Sequence, residues 1–237
     1  MLRRYEMKRL LLAILGIAAF TIGVSLQAYA AEPNEQQILV DQAQLTLKDF
    51  ERAPEMEWFR DTLPKAKGVL IVPSLVKAGL IFGGSGGSGV YFAIDKKTGE
   101  CKGPAFYGMG SFTFGLQAGA EKAQVVILAM TDEAVNAMLS PQFKIGADAS
   151  VAAGPVGVGT GGQASPLPAA AFIVFSRAQG IFGGLTVEGV IVASKGESNA
   201  LYYGRPVTAT DILVKGVPET SGGRRICAMI GKPSMKD

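Results

Sequence analysis

Apolar and polar positions first fall into a helical period. Leu39, Ala43, Leu47 and Phe50 recur at helical spacing after Asn34, while Asp41, Lys48 and Arg52 lie mostly off that stripe. The pattern predicts an amphipathic helix from about 35 to 52, N-capped by Asn34 and broken by Pro54. A second short helix over Glu55 to Leu63 turns Met56, Phe59 and Leu63 inward.

Beyond Leu63 the period changes to that of strands. Gly68 to Pro73 reads as a first strand ended by its proline, and the glycine run Gly83 to Gly89 as a linker into a strand over Val90 to Ile94. A turn follows at Asp95 to Gly99, then strands around Phe106 to Phe114 and Gln124 to Met130. Thr131, with Asp132 and Glu133 behind it, starts a helix running to about Leu139. Ile145 to Gly157 is small and weakly polar, which suits a strand pair or a closely packed extended segment, and Gly159 to Pro168 reads as a loop. Phe172 to Ser176 is a further strand, and Leu185 and Val187 alternate with Thr186 and Glu188. Thr208 and Asp211 have the spacing of a capping box and open a short helix. After Pro218 the chain reads as a turn-rich tail with an edge strand over Arg225 to Ile230.

One stretch occurs twice. Of the 17 positions from 77 to 93, eight are identical one hundred residues later: Ala78, Ile81, Phe82, Gly83, Gly84, Gly89, Val90 and Ala93. A basic residue, Lys77 or Arg177, opens each copy. Two copies are too few for a solenoid. The reading is a single α+β domain, an antiparallel, strongly bent sheet or barrel-like body built from two related β-units and covered by the N-terminal helices.

Charge and composition alter this picture at the ends. Arg3, Arg4, Lys8 and Arg9 precede an apolar run from Leu10 to Val24, and Ala28-Tyr29-Ala30 has the small-x-small form of a cleavage site. Residues 1–30 therefore read as a signal peptide and the chain as exported, to the periplasm or an outer-membrane surface. An uncleaved anchor would need a span of about 20 residues, longer than this run. Without residues 1–30 the 23 basic and 20 acidic residues become 19 of each, so the balance offers nothing to nucleic acid. The remaining charge is uneven: residues 31–63 are net −5 and residues 64–237 net +5. Glycine, at 31 residues, is about twice its usual share of roughly 7%. Cys101 and Cys227 either form a disulfide, as suits an exported chain, or stand as two separate buried thiols.

The available chemistry is narrow. The chain has no histidine, which removes His-dependent nucleophile systems and makes a zinc site a poor fit. Glu188 is the one carboxylate set in an apolar strand, and it reads as an outward residue or a partner of Arg177. Gly84 to Gly89 and Gly157 to Gly162 both match G-x-G-x-x-G, but neither leads from a strand into a helix, so nucleotide binding is not expected. Lys77 and Arg177, each five residues before Phe82 or Phe182, are candidate ligands for an anionic headgroup, or simply polar turn residues. No cofactor, metal or catalytic residue is expected.

Several longer motifs carry a family resemblance: Lys67 to Pro73, Lys77 to Gly89, Gly103 to Tyr107, Gly146 to Gly157, Phe175 to Gly184, and Tyr203-Gly204 with Val207 to Leu213. In this order they resemble the SYLF domain over roughly residues 35–216, and the chain divides into a signal peptide (1–30), this domain (31–216) and a C-terminal tail (217–237). The resemblance implies a non-catalytic lipid-binding module. Eukaryotic members bind phosphoinositides, some bind actin, and bacterial members resemble exported stand-alone versions. In the eukaryotic proteins a basic amphipathic segment at the domain's start makes much of the membrane contact, whereas the corresponding helices here are net acidic. The function expected is binding of anionic phospholipid at the cell envelope through Lys77, Phe82, Arg177 and Phe182. The alternative is a structural or adaptor protein that binds another envelope protein.

Overall fold

The 12 residues of the first strand run straight through their proline. A computed structural model of the chain describes residues 34–79, 82–114, 119–153, 170–178, 181–183 and 189–231. In it β1 (Gly68–Gly79) pairs on one side with β2 (Phe82–Ile94) and on the other with β4 (Gly119–Ala129). Pro73 does not end β1. It sits where both ladders slip, between Ile71 and Ser74 toward β2 and between Val72 and Leu75 toward β4. A bulge is where a residue with no N–H to donate costs least. The extra residue also lets Val72 and Leu75 enter the same core.

The other strands are β3 (Cys101–Phe114), β5 (Gln142–Lys144), β6 (Val151–Ala153), β7 (Phe172–Ala178), β8 (Ile181–Gly183) and β9 (Ile191–Ser194). Eight lie in the order β5-β9-β3-β2-β1-β4-β7-β6, and β8 pairs with the free half of β7. The pairs are antiparallel except β6 with β7. The sheet curls into a half-barrel, giving the expected α+β body. The glycine run is strand as well: β2 includes every residue from Gly83 to Gly89.

Both copies of the repeated stretch form hairpins, with different registers. Lys77 faces Ser85 across β1–β2, whereas Arg177 faces Phe182 across β7–β8. The first copy then stays in β2. The second rejoins the sheet as β9, between β3 and β5.

Helices α1 (Glu35–Arg52) and α2 (Glu57–Thr62, with short 3₁₀ turns on either side) cover one face. Val40, Ala43, Leu47 and Phe50 of α1 are fully buried there, with Met56, Phe59 and Leu63 behind them. Phe59 meets Phe50 and Phe175 edge-on, at 5.6 and 5.2 Å between ring centres, contacts worth about 0.5–1.5 kcal/mol each beyond their burial. The opposite face packs Leu70, Tyr91, Tyr107 and Ile127 against α3 (Asp132–Leu139), capped by Thr131, and a π-helical turn (Asp211–Lys215). The Thr208 and Asp211 pair closes reciprocally, Asp211 N–H donating to Thr208 Oγ1 and Thr208 N–H to the Asp211 carboxylate.

Helix α4 (Gly196–Tyr203) follows β9, and the last described element is α5 (Ser221–Ile230). The tail is thus a helix where the sequence suggested turns and an edge strand. Gly222 and Gly223 stand in its first turn, where the helix lies tight on its neighbours. A Cβ on Gly222 would stand 2.7 Å from Val40 Cγ1, and one on Gly223 2.8 Å from the Gly103 carbonyl oxygen. Ile226, Met229 and Ile230 continue that buried stripe, and a disulfide joins Cys227 to Cys101 at the start of β3. Residues 1–30, the expected export signal, lie outside the described residues, as do Gly157 to Gly162 and Glu188.

Candidate functional site

One row of residues crosses the sheet without a large side chain at its centre. Lys144 of β5 pairs with Ile191 of β9, Ile191 with Gly110 of β3, and Gly110 with Gly86 of β2. Gly86 pairs with Val76 of β1, and Val76 with Lys122 of β4. Directly paired residues share a face of a sheet. The row therefore reads Lys144, Ile191, Gly110, Gly86, Val76, Lys122, with a lysine at each end, a β-branched residue inside each lysine, and two glycines in the middle.

The face follows from the alternation along β2. Val90 and Phe92 point into the core beneath the helices, so Gly86 and Gly84 point to the same side, at the end of the sheet that the helices leave uncovered. Val76 and Ile191 are each 46% exposed, although both stand in strands paired on either side. The glycines turn this bare face into a trough of about 760 Å³, open to solvent along one side. Its other notable lining residues are Ala78, Ala193 and Lys195. Lys195 lies with Cδ 3.7 Å from where a Gly108 Cβ would stand, and its Nζ donates to Ser88 Oγ at 3.2 Å. Lys144 likewise carries Cε 3.7 Å from the corresponding point on Gly189. Both stems cover glycine and leave their ammonium groups at the rim. Among the described residues the lining contains two lysines and no carboxylate.

The reverse side of the same strands is polar. Glu121, Lys77, Ser85 and Ser111 form the neighbouring row, and the two serine hydroxyls lie 2.8 Å apart. Lys77 therefore faces away from the trough. Arg177 pairs with Gln124 and stands on the trough's side of the sheet, where its Nη1 lies 3.5 Å from Asp49 of α1. The two cations expected to share a headgroup are thus on opposite faces. Phe82 is the first residue of β2, and Phe182 pairs with Arg177 in the β7–β8 hairpin.

Helix α1 does not present a free apolar face, since its stripe is already in the core. Part of its acidity is spent on the basic body. Arg225 of α5 donates to Asp41 and Gln44, each at 2.9 Å, and Asp49 meets Arg177. Such exposed pairs contribute about 0–1 kcal/mol each, so they orient the helix more than they hold it.

The titratable groups with large shifts belong to the fold. Burial pushes the Tyr91, Tyr107 and Tyr203 hydroxyls well above their ordinary value. Tyr107 donates to the Met138 carbonyl, and Tyr203 to that of Pro104 at 2.8 Å. Among the described residues no cluster of three or more metal-ligating side chains occurs, and no helix is long and apolar enough to cross a membrane. The Gly84 to Gly89 match lies inside an antiparallel strand, with no helix N-terminus to receive a pyrophosphate.

Lys122, Lys144 and Lys195 were missed at the level of sequence because they belong to three different elements. The available signal was the period-2 spacing of Gly84 with Gly86 and of Gly108 with Gly110, two strands each losing one face.

Comparison with known proteins adds the family. Residues 110–232 match the model of the Ysc84 family, described as Las17-binding protein actin regulator. SH3 domain-containing YSC84-like protein 1 of Rattus norvegicus is 31% identical over 158 residues, 66% of this chain and 46% of that protein. LAS seventeen-binding protein 3 of Saccharomyces cerevisiae is 34% identical over 156 residues, 65% of this chain and 34% of the relative. The aligned stretch spans less than half of these curated relatives. The name of the yeast relative is that of a binding protein. The chain belongs to the Ysc84 family and carries its SYLF domain.

Proposed function

We propose that the protein is a non-catalytic binder of anionic phospholipid at the cell envelope. One observation carries the reading: an apolar, glycine-floored trough whose rim, among the described residues, holds the ammonium groups of Lys144 and Lys195 and no carboxylate. Apolar floor and cationic rim together match the two halves of an anionic lipid. The hairpin ends bearing Phe82 and Phe182 lie at the same end of the sheet, where aromatic residues suit a membrane–water boundary. Arg177 is a flanking charge in this reading, and Lys77 a contact from the opposite face. The basic, apolar start of the chain supports export to the periplasm or an outer-membrane surface.

The test is flotation of the protein, expressed from its full chain, with neutral and anionic liposomes at low and moderate salt. Binding to anionic vesicles alone, weakened by salt, is expected, because screening over about 10 Å at 0.1 M reaches exposed lysines. Equal binding to both vesicle types, or to neither, would overturn the reading.

A second reading draws on the yeast relative, whose name records binding to a protein. An envelope adaptor would show no lipid affinity and would yield a specific partner on crosslinking.

A further inference from the structure

From the form of the trough we infer that the lipid is held singly, with one alkyl chain lying along the glycine row and its anionic head at Lys144 and Lys195. This inference rests on the lipid-binding reading above and goes beyond it, since contact with a bilayer surface would not require the chain to leave the membrane.

The floor is recessed between two walls. A Cβ on Gly86 would meet no described residue within 4 Å, so among these residues the space above it is open. A Cβ on Gly84 or Gly110 would meet only a backbone oxygen of the adjacent strand, at 3.2 and 3.4 Å. Depth here is the absence of side chains, bounded by Val76 and Ile191. A flat hydrocarbon surface cannot reach such a floor, and only a narrow apolar group that enters the trough can cover it. Three strand spacings separate the walls, about 14 Å, comparable with an extended decanoyl chain. The volume lies within the roughly 300–1,000 Å³ of small-molecule sites.

The surface also selects against an extended peptide. Peptides that add to sheets do so at an edge, where free N–H and C=O groups complete their backbone. This trough lies on a face, and β9, β3, β2 and β1 beneath its floor are each paired on both sides. A peptide laid there would leave its own backbone groups unsatisfied against an apolar floor. An alkyl chain has none to satisfy. The rim then sets the sign of the head: two ammonium groups, with no carboxylate beside them among the described residues, favour an anion.

A carboxylate head would come from a fatty acid and a phosphate head from a lysophospholipid. Isothermal titration with decanoate and with decanoyl-lysophosphatidylglycerol, each below its micelle concentration, separates the two sources, and decanol serves as the neutral control. The protein expressed from its full chain should bind at least one anion at one molecule per chain, at least tenfold more tightly than decanol. Gly86→Leu fills the trough from the open glycine and should weaken that binding more than tenfold. The thermal unfolding profile of Gly86→Leu should stay near that of the parent. Lys144→Ala with Lys195→Ala leaves the trough empty and should lower anion affinity at least tenfold, which keeps the inference testable should Gly86→Leu fail to fold. Flotation with anionic vesicles but no saturable binding of either monomer overturns the single-lipid inference and leaves surface binding standing. Loss of both overturns both. Anion affinity unchanged in a folded Gly86→Leu protein also overturns the inference.

Discussion

The side-chain oxygen of Asn199 accepts a hydrogen bond from the Phe106 amide at 2.8 Å, at the point where the pairing of β3 with β9 ends. β9 pairs with β3 only from Tyr107 to Gly110. One residue earlier, Lys195 N–H donates to the Phe106 carbonyl, and Asn199, on the first turn of α4, serves the amide. Asn199 is fully buried, so this helix completes the ladder with one side chain. Because Lys195 precedes that helix directly, the same device fixes one lysine of the trough.

Asn199→Ala should therefore destabilise the protein by about 1–3 kcal/mol, the cost of a buried amide left unpaired. Denaturant unfolding measures it, and a change below a few tenths would show that water takes over the bond.

Gly68 and Tyr91 form a second constraint. A Cβ on Gly68 would stand 1.9 Å from the Tyr91 hydroxyl, which is buried and has no hydrogen-bond partner among the described residues. Gly68→Ala should cost about 1–3 kcal/mol through overpacking. Tyr91→Phe alone should be neutral or slightly stabilising, because it removes an unpaired buried hydroxyl. A large loss in Tyr91→Phe would contradict this packing.

The Cys101–Cys227 bridge closes a sequence separation of 126 residues and ties α5 to β3. Replacing both with serine should lower stability by about 2–4 kcal/mol, chiefly by freeing the unfolded chain. Calorimetry with and without reductant checks it, and the double variant should lose its sensitivity to reductant.

Asp211 gives a pH prediction. The Lys215 ammonium and the Thr208 hydroxyl and amide hold its carboxyl well below the ordinary value of 3.8. A depressed folded-state pKa contributes stability in full above the unfolded value, and that contribution is lost as pH falls through the folded value. The melting-temperature advantage of the parent over Asp211→Asn should be greatest near neutral pH and shrink below about pH 4. An advantage that grows in acid would reverse the assignment.

The parts legible in the sequence were those decided by local pattern. The stripe through Leu39, Ala43, Leu47 and Phe50, followed by Pro54, gives α1 its bounds, and Thr131 and the Thr208–Asp211 pair mark helix starts by their own hydrogen bonds. Pro73 and Gly84 to Gly89 misled because each normally interrupts an element. Here a bulge shelters the proline, and a sheet face leaves its glycines bare. The site itself was hidden for a different reason. Lys144, Ile191, Gly110, Gly86, Val76 and Lys122 become neighbours only through strand order, and the likeness of Lys77 to Arg177 said nothing about which face each would take.

The most direct measurement is flotation with anionic vesicles for two variants beside the parent, Lys144→Glu with Lys195→Glu, and Lys77→Glu. The trough account predicts that the double reversal abolishes binding while Lys77→Glu, on the polar reverse side, lowers it only slightly. Undiminished flotation of a folded double variant would contradict it.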